Sequence, residues 1–174
     1  MPPTLTQVVS GGQTGVDRAG LDAAIFHGIP HGGWCPEGRR AEDGRIPNQY
    51  FLKETTSRNY AVRTEQNVID SDGTLILFED PISRGTGLTA KYARQHRRQL
   101  YKLDIIEILQ WNEDQFDEEV QKVNAWIEKE NVNVLNVAGP RESSSPGIGG
   151  VARMFLLRVF ESHVAGEVGA STEI

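Results

Sequence analysis

Ser10-Gly11-Gly12-Gln13-Thr14-Gly15-Val16-Asp17-Arg18-Ala19-Gly20 is the stretch whose reading decides the fold of this chain. A β-branched run, Leu5 to Val9, precedes it, and an apolar-periodic run with Leu21, Ala24 and Ile25 follows it. Strand, glycine loop and helix in that order aim backbone N–H groups at an anion. Glycine lets a ligand come close, and the first helical turn carries orphan donors and a partial positive charge. The loop differs from both common phosphate motifs. A Walker A loop ends in Gly-Lys-Ser/Thr, whereas Gly15 is followed by Val16 and Asp17. The dinucleotide fingerprint is Gly-x-Gly-x-x-Gly, whereas the spacing here is Gly-Gly-x-x-Gly. The competing reading is a tight strand-to-helix turn that holds nothing. Asp17 suits a helix start but repels a phosphate, so it is expected to cap the helix or to meet a hydroxyl or a cation.

Outward from that loop, strand and helix patterns alternate. Five segments read as buried strands: Leu5 to Val9, His31 to Trp34, Thr74 to Phe78, Gln99 to Leu103 and Val132 to Val137. The clearest are continuous Val/Ile/Leu runs, which suits a parallel sheet covered on both faces. Helical spacing marks Asp17 to His27, a segment from an N-cap at Ser57 through Ile69, Thr86 to His96, Glu113 to Glu130, and Gly150 to Val164. The expected fold is α/β: a Rossmann-like, doubly wound, mostly parallel sheet of five or more strands with helices on both faces. Residues 1–165 are expected to form one domain, and residues 166–174 a small, polar, flexible tail. Cys35 to Lys53 is irregular and long for a strand-to-helix connection, the kind of loop that often carries function.

The net charge of −6 over 174 residues argues against binding a nucleic-acid backbone. One cysteine excludes an intramolecular disulfide framework and fits a reducing compartment. The N-terminus lacks the basic and apolar regions of a signal peptide, and no apolar run reaches the ~20 residues of a membrane span. A cytoplasmic protein without membrane or nucleic-acid partners is expected.

In a parallel sheet, all strand-to-helix loops lie on one edge, where ligands bind. Three such loops stand out. Gly11, Gly12, Gln13, Thr14, Gly15 and Asp17 form the first. Arg84, Gly85, Thr86 and Gly87 form the second, and Gly139, Pro140 and Arg141 the third. Arg84 and Arg141 sit in glycine-rich turns, where a guanidinium can grip a phosphate bidentately. Trp34, Cys35 and Pro36 border this edge, and Arg39 could close over it, whereas Arg40 and Arg45 read as surface partners of Glu37, Glu42 and Asp43. Tyr60, Arg63, Thr64 and Asn67 share one helix side, which reads first as a solvated stripe and second as a wall of the site. Cys35 reads as a small buried apolar residue, and no metal-ligand spacing appears. Asp17 and Glu142, with Asp43, are the weak candidates for an acid, each more commonly a cap or a surface charge.

Taken together, SGGQTGVDRA (Ser10 to Ala19), HGGWCP (His31 to Pro36), RRAEDG (Arg39 to Gly44), NVIDSDGTL (Asn67 to Leu75) and NVAGPRE (Asn136 to Glu142) resemble the molybdenum carrier family. Through it, the chain looks like the wider group of Rossmann-like nucleotide-sensing and phosphoribohydrolase folds. The resemblance implies a doubly wound fold, homo-oligomers (dimer or tetramer), and a small phosphorylated ligand. That ligand would be the molybdenum cofactor, a pterin carrying a phosphate, or alternatively a nucleotide. The related phosphoribohydrolases carry a signature like Pro-Gly-Gly-x-Gly-Thr-x-x-Glu. Laid on this chain, Gly85 and Gly87 match two of its glycines, but Leu88 falls where threonine is expected and Lys91 where a carboxylate is expected. A binding or carrier protein is therefore the leading expectation, and cleavage of a nucleotide's N-glycosidic bond the alternative.

Overall fold

Short runs of Val, Ile and Leu that are apolar on consecutive positions need cover on both faces, and the chain supplies it with a helix after nearly every strand. The computed structural model describes residues 5–82 and 84–164. Its elements run β1 (Gln7–Val9), α1 (Val16–Phe26), β2 (His31–Gly32), β3 (Trp34–Cys35), β4 (Arg40–Ala41), β5 (Gly44–Arg45), β6 (Lys53–Glu54), α2 (Tyr60–Ile69) and β7 (Gly73–Phe78). They continue with α3 (Arg84–Gln95), β8 (Gln99–Asp104), a 3-10 turn (Ile106–Gln110), α4 (Glu113–Lys129), β9 (Val134–Ala138) and α5 (Ile148–Glu161). The central sheet has five strands in the order β2-β1-β9-β7-β8, all parallel. This is the expected α/β architecture; the tail at 166–174 lies outside the described residues.

Side chains alternate across each strand, so the two faces can be read separately. On one face Val8, Leu75, Leu77, Leu135 and Val137 join Val16, Ala19 and Ala23 of α1, Val123 and Ile127 of α4, and Phe155, Leu156 and Val159 of α5 in one apolar core. The other face carries Thr74, Ile76 and Asn136 under α2 and α3, with Asn136 Nδ2 donating to Thr74 Oγ1 at 3.2 Å. Thr64 and Asn67 of α2 and Thr86 and Thr89 of α3 are buried against it. Hydrocarbon fills one side of the sheet and hydrogen-bonding side chains line the other.

Element ends shift by a few residues from the sequence reading, α5 running Ile148–Glu161 rather than Gly150 to Val164, and three differences bear on the site. The expected strand His31 to Trp34 is broken at Gly33, whose φ of 121° turns the chain so that β2 stays in the central sheet while β3 pairs with β6. Helix α2 starts two residues later than an N-cap at Ser57 allows. Asn59 is the cap, accepting from Ala61 N at 2.9 Å, while Ser57 Oγ accepts from Asn59 N. Helix α3 starts at Arg84 rather than Thr86, which places Arg84 to Gly87 in its first turn.

The irregular segment is organised around Arg39. Its buried guanidinium donates to four backbone carbonyls: Nε to Ile46, Nη1 to Leu52, and Nη2 to Pro47 and Tyr50. Cys35, Ala41, Ile46 and Tyr50 pack with Leu21 of α1 into a second small core. Tyr50 Oη donates to Asp22 at 2.7 Å; burial first and then this contact push the phenol up to about 12.

Candidate functional site

The connections of β9 and β7 leave the sheet on opposite faces, toward α5 and α3. That reversal of winding is where open α/β sheets hold ligands. A cleft of about 240 Å³ opens there. Gln13 and Asp17 lie in its base, Tyr60, Ala61, Arg63 and Thr64 of α2 form one wall, and Arg84, Gly85, Thr86, Leu88 and Thr89 of α3 form a second. Ala138, Gly139, Pro140, Arg141 and Ser144 after β9 complete it. The three glycine turns named from the sequence therefore meet at one place.

Their roles within it are not equal. The amides of the first loop are already engaged by side chains of that loop. Gly12 N donates to Ser10 Oγ at 3.3 Å, Gln13 N to Asp17 Oδ2 at 3.2 Å, and Thr14 N to Gln13 Oε1 at 3.1 Å. The anion cradled by this loop is the carboxylate of Asp17. Gly15 serves chain approach: at φ 81° a Cβ there would lie 2.4 Å from the Pro140 carbonyl oxygen. A Cβ on Gly11 would lie 2.5 Å from Arg63 Cζ, so this glycine makes room for a guanidinium.

Asp17 and Arg63 are the buried charges of the site. Asp17 Oδ2 lies 3.7 Å from Arg63 Nη2, with side chains 5% and 13% exposed. Burial pushes the Asp17 carboxyl above its ordinary value; Arg63, the Gln13 amide, Arg18 and the Gly11 amide pull the other way and do not cancel it. Arg63 Nη1 donates to Thr64 Oγ1 at 2.9 Å. Arg63 Nε is buried without a hydrogen-bond partner among the described residues. A buried donor left unmade costs about 1–3 kcal/mol, and this one lies on the Gly11 side, by a small hollow with room for one water. At the rim, Arg84 is exposed, and Arg141 Nε stands 3.9 Å from Glu42 Oε2. Among the described residues that line the cleft, three guanidinium groups stand against one carboxylate, with Glu42 beside the rim.

The remaining acids have other partners. Glu142 accepts from Gly147 N at 2.5 Å and Gly149 N at 3.1 Å, capping the start of α5. Asp43 is held in a two-pronged pair by Arg18 at 2.6 and 2.7 Å, which keeps its carboxyl below the usual range. Glu42 bridges the first and third turns, accepting from Thr14 Oγ1, Ser143 Oγ and Ser143 N. Burial works to raise the Glu42 carboxyl, but the Ser143 and Thr14 hydrogen bonds together hold it down.

Of the residues named from the sequence, Gln13, Asp17, Arg84, Gly85, Thr86, Gly139, Pro140 and Arg141 line the cleft. Gly11 and Asn67 border a small hollow behind it. Gly12, Thr14, Gly15 and Gly87 support the turns from outside the lining. Trp34, Cys35, Pro36 and Arg39 belong to the irregular segment. Trp34 donates its indole N–H to Asp70 at 2.7 Å and lies under Lys53, while Asn67 accepts from Trp34 N and donates to Trp34 O. Burial pushes the Cys35 thiol up, consistent with a small core residue. Arg40 and Arg45 are exposed as read, but they do not pair with the neighbouring acids: Arg45 meets Asn48, and Arg40 lies over the Tyr60 ring. Helix α2 is a wall rather than a solvated stripe, and Arg63 is the principal residue the sequence reading placed second. The signal was its i, i+3, i+4 companionship with Tyr60 and Thr64. Among the described residues, no cluster of His, Cys, Asp and Glu is placed to hold a metal ion, and no helix is long and apolar enough to cross a membrane.

The model of a family described as "Circularly permutated YpsA SLOG family" matches residues 8–160. Among solved structures, the crystal structure at 1.45 Å of a "Putative molybdenum carrier protein" from Syntrophus aciditrophicus SB is 42% identical, with a TM-score of 0.83 over 92% of this chain and 97% of that one. None of the curated proteins matches this chain.

Proposed function

The chain belongs to the circularly permutated YpsA SLOG family, and from that membership and the cationic cleft we propose that it binds and carries a phosphate-bearing heterocycle, with the molybdenum cofactor as the leading ligand. The observation that carries this reading is the cleft itself: rim arginines at Arg84 and Arg141 beside the first turn of α3, and the Arg63 guanidinium in the facing wall. A phosphate meets the rim guanidinium groups and the N–H groups of Arg84 and Gly85, where helix polarity and charge both favour an anion. The donor set fits a pterin phosphate by its phosphate and ring edge: among the described residues neither imidazole nor thiol lines the cleft, so the metal would ride as cargo on the ligand's own atoms. The relative's name is the argument for the molybdenum cofactor over a nucleotide. The protein is proposed to work in the cytoplasm as a homo-oligomer with a small phosphorylated partner.

Titration calorimetry and thermal shift with molybdopterin, GMP and AMP test this. A ligand at a hundredfold above its Kd adds ~2.7 kcal/mol of stability. Arg84→Ala with Arg141→Ala should abolish that gain while leaving the ligand-free melting temperature nearly unchanged. A protein that no phosphorylated heterocycle stabilises is not this carrier.

One observation favours a second reading, hydrolysis of a nucleotide's N-glycosidic bond. Asp17 lies in the base of the cleft with a raised carboxyl pKa, as a general acid requires. Glu142 and Asp43 are committed to a helix start and to Arg18. Release of free base from AMP or GMP, lost in Asp17→Asn, is the measurement that distinguishes this reading from carriage.

A further inference from the structure

We propose that Arg63 is the ring-reading residue of the cleft: its guanidinium, beside the Asp17 carboxylate, donates to an acceptor atom on the heterocycle, while Arg84 and Arg141 hold the phosphate at the rim. This rests on the phosphorylated-heterocycle reading and adds to it a division of the cleft into two ends with different chemistry.

The division follows from charge and depth. At the rim, Arg84 is exposed and Arg141 keeps only a 3.9 Å approach to Glu42, so this end has an excess of positive charge open to a dianion. Deeper in, Arg63 is held 3.7 Å from the Asp17 carboxylate. A phosphate pushed to that depth would lose its hydration and face Asp17, a like charge at close range. A neutral ring edge meets no such penalty. Arginine can only donate, and Asp17 beside it can accept, so the floor offers a donor next to an acceptor. Guanine and pterin rings present the complement, a ring carbonyl beside a ring N–H. The Tyr60 ring, 5.6 Å from Arg63 Cζ, adds an aromatic surface to the same wall.

Three features hold Arg63 in place for this task. Thr64 Oγ1 accepts from its Nη1, and Thr64 in turn donates to the Tyr60 carbonyl at 2.9 Å, which fixes one end of the fork. Asp17 faces the other end. Gly11 leaves the space its guanidinium occupies. The Nε–H is fully buried on the Gly11 side, so the Nη2 end, held only by a 3.7 Å approach to Asp17, is the donor that a ring edge can meet. The hollow behind the guanidinium has about 10 Å³, room for one water, which can satisfy the Nε–H independently of any ligand.

The test is a set of Kd values measured by calorimetry on the full chain, with ribose 5-phosphate as the ringless probe and GMP and neopterin phosphate as ring-bearing probes. In the wild type, the better ring probe should bind at least about tenfold tighter than ribose 5-phosphate. Arg63→Gln should bring the two within about threefold of each other, with the ribose 5-phosphate value unmoved. Gly11→Ala, which displaces the guanidinium without deleting it, should act in the same direction and covers the case in which Arg63→Gln fails to fold. Arg63→Lys should not restore the ring preference, because the ammonium cannot supply the fork geometry. Arg84→Ala should weaken ring-bearing and ringless probes alike. The inference is overturned if the wild type shows no ring preference, or if that preference survives both Arg63→Gln and Gly11→Ala. It is also overturned if Arg63→Gln weakens ribose 5-phosphate as much as GMP. In each of these cases rim binding of phosphate stands. Absence of binding by every probe removes the carrier reading and this inference together.

Discussion

The two faces of the central sheet are made by the same strands and do different work. Leu75, Leu77, Leu135 and Val137 look toward α1, α4 and α5 and meet only hydrocarbon. Thr74 and Asn136, one position along on β7 and β9, look toward α2 and α3 and meet hydroxyls, amides and the neighbourhood of a guanidinium. The difference teaches where stability and binding reside. Apolar burial is non-directional and strong, so one face can hold the fold. The other face carries polar groups that stabilise only when fully matched, and it is there that a donor is left over.

Breaking the apolar face should have the largest effect. Phe155→Ala should cost about 3–5 kcal/mol in urea denaturation, and the folded fraction should bind ligand with wild-type affinity. A variant that binds poorly although folded would mean that the faces are coupled. The next largest effect lies in the irregular segment. Arg39→Met removes the donor from four carbonyls, two of them in buried hydrogen bonds, and a loss of about 2–3 kcal/mol is expected from the same measurement, with hydrogen exchange rising across residues 36–54.

A third variant pair sharpens the comparison. Asn136→Leu alone strands the Thr74 hydroxyl and should cost about 1–2 kcal/mol; with Thr74→Val added, most of that should return, because both partners become apolar together. The double variant makes the polar face resemble its opposite, and ligand affinity should fall while stability recovers.

The smallest effect is a pH response. The carboxyls of Asp43 and Glu42 both titrate below their ordinary values in the folded chain. A depressed folded pKa contributes stability that is complete above the unfolded pKa, near 4, and is lost as pH falls through the folded value. Hydrogen exchange should therefore show residues 36–54 loosening from the glycine turns below about pH 4, before the apolar core opens. Asp43→Asn should make that loosening weaker in its pH dependence.

Much of this was legible along the chain. Thr74 to Phe78 and Val132 to Val137 read as Val/Ile/Leu-rich strands, close to the observed Gly73–Phe78 and Val134–Ala138, and the glycine turns after them converge as a parallel sheet requires. What escaped were pairings between distant segments. Glu42 looked like a partner for Arg40 or Arg45, yet it bonds Ser143, 101 residues away. Arg39 looked free to close over a ligand, yet no pattern in sequence reveals four carbonyls curling around one guanidinium. Asp17 read as a tension in a phosphate loop; the fold resolves it by making Asp17 the loop's own anion. Arg63 shared a face with polar neighbours, and only burial by the strand edge distinguishes such a face from a solvated one.

The sheet order carries a consequence for how the molecule comes into being. Strand β9 lies between β1 and β7, which do not pair with each other in this sheet. During synthesis, more than a hundred residues emerge while the middle of the sheet is missing, leaving two open strand edges and a half-covered greasy surface. Such a chain cannot close locally and stepwise; it must wait for its central piece, and a cell making it is expected to shield those edges until that piece arrives.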